Sequence, residues 1–229
     1  DSGVRLEGPA ARSYANVFLT FWRAHFPDEA LDHTALLPEI APVADTGGTL
    51  VQPFADSPVD REVVAKNVYL EFINQARHSL RICTPYLILD NDLLTCLSLA
   101  AKRGVDVELI LPHVPDKKFT FALAKGHYRE LLDAGVKIYE YTPGFVHAKV
   151  FVSDDCKAVV GTINLDYRSL YLHFENAVYL YDCPCIADIV ADFDATRAQS
   201  QIVTHGDLAR IPLHTRITSA LLKLVAPLM

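Results

Sequence analysis

The 229-residue sequence predicts an α/β architecture, a mixed β-sheet flanked by helices on both faces. Three observations carry that expectation. Strand-like and helix-like segments alternate from residue 49 onward. Residues 105–111 are almost continuously apolar, as a strand buried on both faces must be. Two helical segments run into a glycine, Gly104 and Gly135, where a left-handed residue closes a helix.

The elements follow in order. Residues 13–26 place Val17, Phe18, Phe21 and Trp22 at helical spacing, an apolar stripe of the kind that packs into a core. Residues 27–48 contain Pro, Asp and Gly with little period and read as a connection. Residues 49–54 form a short strand. Residues 60–77 form a helix with Val64, Val68, Phe72 and Ala76 four apart. A strand at 80–84 ends at Pro85, and a helix at 91–102 closes at Gly104. After the apolar strand come a helix at 119–134, a strand at 136–141, a hairpin, a strand at 175–181 and a helix at 185–200. Residues 208–228 alternate Leu213, Ile217, Leu221, Leu222 and Val225 with Arg210, Arg216 and Lys223, the pattern of a basic amphipathic helix. That helix either docks on the domain or lies on a membrane surface. The chain thus divides into an N-terminal helix and connection (1–48), an α/β lobe (49–204) and a helical tail (205–229).

Composition narrows the function classes. The chain is 51% hydrophobic, with ten Tyr and eleven Phe, which excludes a disordered polypeptide. Its net charge of −7 argues against a dedicated nucleic-acid binder but leaves room for a local basic pocket. Cys83, Cys96, Cys156, Cys183 and Cys185 are scattered without zinc spacing and read as free thiols of a reducing compartment. No metal site is expected. No apolar run reaches the roughly 18 residues of a membrane span, and no signal peptide is visible. Met229 is the only methionine and the chain opens on Asp1, which reads as a piece of a longer protein.

The hairpin carries the chemistry. His147-x-Lys149 is followed by Asp154 and then by Gly161-Thr162-x-Asn164, in the form H-x-K-x4-D-x6-G-T-x-N. If 147–152 is a strand, alternation points His147 and Lys149 to one face. A second strand over 157–163 returns Asn164 toward His147. An imidazole, a cation and an amide around one small anion suit a phosphate ester. The imidazole attacks or carries a proton. Lys149 and Asn164 hold the non-bridging oxygens. Thr162 and the backbone at Gly161 offer further donors. Glu175 is the expected carboxylate partner of the imidazole, its plain alternative being a solvated strand-edge acid. Asp154 is grouped with the catalytic residues as a member of the motif, and is expected to cap the hairpin turn. Tyr86 and Arg168 flank strand ends, where a lipid headgroup or a second phosphate would lie. For Arg168 a surface salt bridge is an equal alternative.

His147 through Asn164 resembles the HKD motif of the phospholipase D superfamily. The segments Thr84-Pro-Tyr-Leu-Ile-Leu-Asp, Gly104-Val-Asp-Val-Glu-Leu-Ile-Leu-Pro and Asn164-Leu-Asp-Tyr-Arg-Ser resemble the C-terminal half of bacterial cardiolipin synthases. The resemblance implies a phospholipase D-like lobe that gives one of two HKD motifs to a shared site. It implies phosphatidyl transfer between two phosphatidylglycerols through a phosphohistidine, with glycerol released and no cofactor. His147 would be the general acid/base, with Glu175 as the glutamate that holds it. The expected partners are phosphatidylglycerol or another glycerophospholipid, an anionic membrane surface, and either an N-terminal HKD lobe or a second copy of the chain. The resemblance places the whole protein at a membrane and this piece in solution. Only one HKD motif is present, because no other histidine has a lysine two residues on. A dimeric single-motif nuclease and an inactive, phosphate-binding lobe are the alternatives.

Overall fold

A computed structural model describes residues 1–29, 32–37, 39–40, 47–59, 61–211, 219 and 222. Among them the elements run α1 Pro9–His25, α2 His33–Leu36, β1 Leu50–Asp56, α3 Val64–Gln75, β2 Ser79–Cys83, α4 Asn91–Lys102, β3 Asp106–Pro112, α5 Lys118–Ala134, β4 Lys137–Tyr141, β5 Val150–Ser153, β6 Lys157–Gly161, α6 Tyr167–Tyr171, β7 Glu175–Tyr181, α7 Cys185–Ala198, β8 Ser200–Ile202 and α8 His205–Ala209.

The eight strands form one mixed sheet in the order β1-β7-β6-β5-β2-β3-β4-β8. The β2–β3–β4 run is parallel, joined by α4 and α5. The remaining neighbours are antiparallel. Alternation along each central strand sends side chains to two cores. Leu80, Ile82, Leu109 and Phe151 meet α3, α4 and α5 on one face. Ile110, Val150, Val152, Val160 and Val178 meet Ile186 and Phe193 of α7 on the other. Helices therefore cover both faces, as the patterning predicts.

Several boundaries differ, each for a physical reason. α1 begins at Pro9, whose fixed φ suits a first helical turn. α3 begins at Val64 because its amide cap comes from a distant strand end: Asp56 Oδ2 accepts from the Ala65 N–H at 2.8 Å. α5 ends as expected at Gly135, which has φ of 99°. The β5–β6 hairpin pairs only from Val150, so His147 and Lys149 lie on the approach to β5 rather than inside it. β8, at the edge beside β4, and α6 are short elements that periodicity does not reveal. The helix expected over 208–228 falls mostly outside the described residues. Leu208 belongs instead to α8, closed at its start by a capping box between Thr204 and Asp207. The Ser219 hydroxyl donates to the Ala122 carbonyl of α5 at 2.8 Å.

Candidate active site

One end of the interior strands β2, β5, β6 and β7 collects the site. Cys83 at the end of β2 pairs with Val150 at the start of β5. Val150 pairs with Val160 near the end of β6, and Gly161 with Ala177 near the start of β7. The Tyr69 hydroxyl, fully buried, fixes the segment after β6 by donating to the Ile163 carbonyl at 2.9 Å. The Ile88 amide then donates to the Leu165 carbonyl at 2.7 Å. Tyr86, His147, Lys149, Thr162, Asn164 and Glu175 all sit on these strand ends or on the loops leaving them.

His147 and Lys149 meet directly. Lys149 Nζ stands 2.8 Å from His147 Nε2 and 2.9 Å from Nδ1, and donates to the His147 carbonyl at 2.7 Å. The lysine is buried, while 47% of the His147 side chain is open. Burial lowers the Lys149 pKa to about 8, against the pull of Glu175 and Asp166. Burial, then the Lys149 charge, also lower the His147 pKa, while Asp116 opposes them. At neutral pH the ring is therefore neutral and the lysine charged.

Glu175 does not hold the imidazole in this structure. The carboxylate beside His147 is Asp1, with Oδ1 3.0 Å from Nδ1. Glu175, buried at the start of β7, accepts from the Thr162 hydroxyl and stands 3.5 Å from His173 Nδ1. Its charge reaches Lys149 instead. Spacing places Glu175 at the correct strand end, and the side chains around it decide its partner.

Asp154 is a correction to its grouping with catalytic residues. It lies at the far end of β5 from His147, about 20 Å away at the rise of an extended chain. Its carboxylate accepts from the amides of His78 at 2.7 Å, Arg77 at 2.9 Å and Ser79 at 3.0 Å. Those bonds hold its pKa below the usual range even though burial opposes them. With φ of 52° it also makes the hairpin turn, so its capping role stands and now includes the α3–β2 connection.

Gly161 is also corrected, from a donor to a steric necessity. Its N–H is already given to the Lys149 carbonyl at 3.3 Å. A Cβ on it would lie 2.3 Å from the Asn176 carbonyl and 2.5 Å from Ala177. Thr162 is tied to β7, with its N–H on the Asn176 carbonyl at 2.9 Å and its hydroxyl on Glu175. Asn164 donates to the Ser169 hydroxyl at 3.0 Å, while its buried Oδ1 has no hydrogen-bond partner among the described residues. Tyr86 donates to Asp116 at 2.5 Å, and its ring lies 6.3 Å from that of Phe145, which is 5.9 Å from His147. Arg168 donates from Nε to His173 Nε2 at 3.2 Å.

Asp116 and His173 are the site-edge residues that sequence reasoning did not find. His173 carried a signal, since His173-x-Glu175 repeats the two-residue spacing that puts side chains on one face. Asp116 carried none, lying in the loop after β3. Among the described residues no cluster of metal-ligating side chains occurs.

Comparison with known proteins places this geometry in a family. Residues 69–197 match the family model described as "Cardiolipin synthase, PLD-like domain". The chain belongs to that family. An uncharacterised protein of Streptococcus mutans is 50% identical over all 229 residues, which make up 49% of its length. Cardiolipin synthase 2 of Bacillus cereus is 39% identical over the whole chain and 44% of its own length. The chain thus spans about half the length of these relatives. The fold is shared with solved structures. Phosphatidylserine synthase of Haemophilus influenzae superposes with a TM-score of 0.63 at 18% identity, over 92% of this chain and 51% of that one. The phospholipase D family member Nuc of Salmonella typhimurium gives 0.58 at 20%, over 68% of this chain and 98% of its own. This cardiolipin synthase-family lobe has no helix among its described residues long and apolar enough to cross a membrane.

Proposed function

We propose that this chain supplies one half of a phosphatidyl-transfer site that makes cardiolipin from two phosphatidylglycerols. The observation that carries the reading is the His147–Lys149 contact at the strand ends, in a chain of the cardiolipin synthase family. In the first step an imidazole nitrogen attacks phosphorus, a P–N bond forms, and the glycerol oxygen leaves with a proton from the second imidazole. In the second step that imidazole takes the proton of the acceptor hydroxyl, whose oxygen attacks phosphorus and breaks the P–N bond. Among the described residues His147 supplies one imidazole, and the other comes from an upstream lobe or a second copy of the chain. The lowered pKa of His147 keeps its lone pair available, which suits the attacking imidazole. Lys149 keeps its charge below about pH 8 and stabilises the non-bridging oxygens.

Asn164 fits the same role after a rotation of its amide. A hydroxyl donates as readily as it accepts, so turning the amide keeps the Ser169 bond and moves the NH2 to the side now held by the unpartnered oxygen.

The test uses the chain alone and the chain grafted in place of the matching segment of the Bacillus cereus relative. Each is given phosphatidylglycerol vesicles and, separately, single-stranded DNA. Cardiolipin and glycerol in equal amounts from the graft, lost in its His147→Ala variant, are expected. A graft that folds yet makes neither cardiolipin nor phosphatidic acid, or one that nicks DNA instead, defeats the reading.

A further inference from the structure

Beside the proposed site stands a second histidine that the phosphatidyl-transfer reading leaves unused. His173 lies between α6 and β7, two residues before Glu175. Its two ring nitrogens face different partners. Nε2 is 3.2 Å from Arg168 Nε, and Nδ1 is 3.5 Å from Glu175 Oε1. A guanidinium only donates, so Nε2 must present its lone pair. In the neutral ring the proton is then on Nδ1, the nitrogen turned toward the carboxylate. The two contacts agree on one tautomer.

Glu175 gains from this arrangement. It is a buried acid, and burying a carboxylate costs free energy unless its oxygens are bonded. Oε2 takes the Thr162 hydroxyl. Oε1 has His173 Nδ1 as its neighbour at 3.5 Å, an ion-pair distance longer than a hydrogen bond. Thr162 is in turn tied to the β7 backbone on both sides, through its own N–H and that of Asn176. One carboxylate oxygen is thus held by Thr162, and beside the other stands His173, itself held by Arg168 of α6. Its charge remains directed at Lys149, the cation that touches His147.

We propose that His173 is a positioning residue of the site: held by Arg168 with its proton on Nδ1, it fixes the Glu175 carboxylate in the orientation that the His147–Lys149 pair requires. The proposal rests on the reading of His147 as a reacting group. It gives Arg168 a task that neither a surface salt bridge nor a second phosphate supplies. It also explains why a histidine, with one acceptor and one donor on opposite sides, stands between a cation and an anion. An asparagine offers the same pair of functions on a smaller frame, its oxygen accepting and its NH2 donating.

Two measurements test this, one without turnover. In the chain labelled with nitrogen-15, the imidazole correlations of His173 at pH 7.5 are expected to report the Nδ1–H tautomer. Arg168→Gln should shift the ring toward a mixture of tautomers, and Glu175→Gln should move the Nδ1 signal. In the grafted enzyme, His173→Ala should lower kcat about tenfold with KM changed less than twofold, the pattern of an interaction made in the transition state. His173→Asn should recover most of that loss. A ring protonated on Nε2, a tautomer indifferent to Arg168→Gln, or an unchanged kcat in a folded His173→Ala enzyme overturns the proposal. A parent graft that makes no cardiolipin defeats the reading of the site instead, and the tautomer is still read directly in the chain.

Discussion

Lys149 Nζ lies 2.8 Å from His147 Nε2, closer than two cations tolerate. The pair therefore works with one charge. His147 is held neutral below its ordinary pKa of 6.5, and Lys149 loses its proton at about 8. The grafted enzyme should show a bell-shaped kcat/KM profile. Its acid limb lies below pH 6.5, where the ring becomes protonated. Its alkaline limb centres near pH 8, where the lysine becomes neutral. Lys149→Arg should remove the alkaline limb, because a guanidinium keeps its charge throughout the range. An alkaline limb that persists in that variant belongs to another group.

The same burial makes Lys149 costly to the fold. Its folded pKa of about 8 lies below the unfolded 10.5, so between those values the unfolded chain binds more protons. Stability should rise with pH across that window and be lowest, for this group, below pH 8. Lys149→Met fills the space without a charge and should stabilise the chain by about 2 kcal/mol at pH 7 while abolishing turnover. Urea unfolding at pH 7 and pH 10 checks both halves. A variant less stable than the parent at pH 7 contradicts the account.

Asp154 behaves in the opposite sense. Its carboxylate receives the amides of residues 77, 78 and 79 and joins the hairpin to the start of β2. Asp154→Ala should destabilise by about 1–2 kcal/mol, since three backbone donors lose their acceptor, two of them exposed and the Ser79 amide half-buried. The folded pKa lies below the ordinary 3.8, so its contribution is present above that value and is lost as pH falls through the lowered one. Per folded molecule the grafted enzyme should keep its kcat. A tenfold fall in kcat at equal folded fraction would return Asp154 to the catalytic set.

Much of this arrangement is legible in the residues. The central strands read correctly because Leu109, Ile110 and Leu111 are buried on both faces, and an apolar run of that length has few other homes. Gly104 and Gly135 mark two helix ends because both need positive φ. Short elements escape because tertiary contacts rather than period create them. α6 exists where Asp166 accepts from the Ser169 amide, and β8 where Ser200–Ile202 finds the edge of β4. At the site, residue type and spacing bring His147, Lys149, Thr162 and Glu175 to one end of the strands β5, β6 and β7. They do not say which oxygen meets which donor. Glu175 turns to Thr162 and His173, and no spacing rule distinguishes that orientation from one toward His147.

Gly161 shows how tightly the edge is built. β6 ends there, against Ala177 of β7, and the two backbones approach until no side chain fits between them. Gly161→Ala would press a methyl group to 2.3 Å from the Asn176 carbonyl and 2.5 Å from Ala177 Cα. These are backbone atoms, so no rotamer change relieves the clash, and the strands must part. Thr162 is the next residue and depends on Asn176 for its own bonds. Parting the strands therefore displaces the hydroxyl that holds Glu175. The variant should lose about 3 kcal/mol of stability. It should also lose more activity than its folded fraction accounts for. Gly161→Ser should be no better, since the obstacle is the Cβ itself. Amide exchange across Thr162, Asn176 and Ala177 should quicken while that of β2 and β3 is unaltered. If the alanine variant matches the parent in both melting temperature and kcat, the close approach of β6 and β7 at this point is wrong.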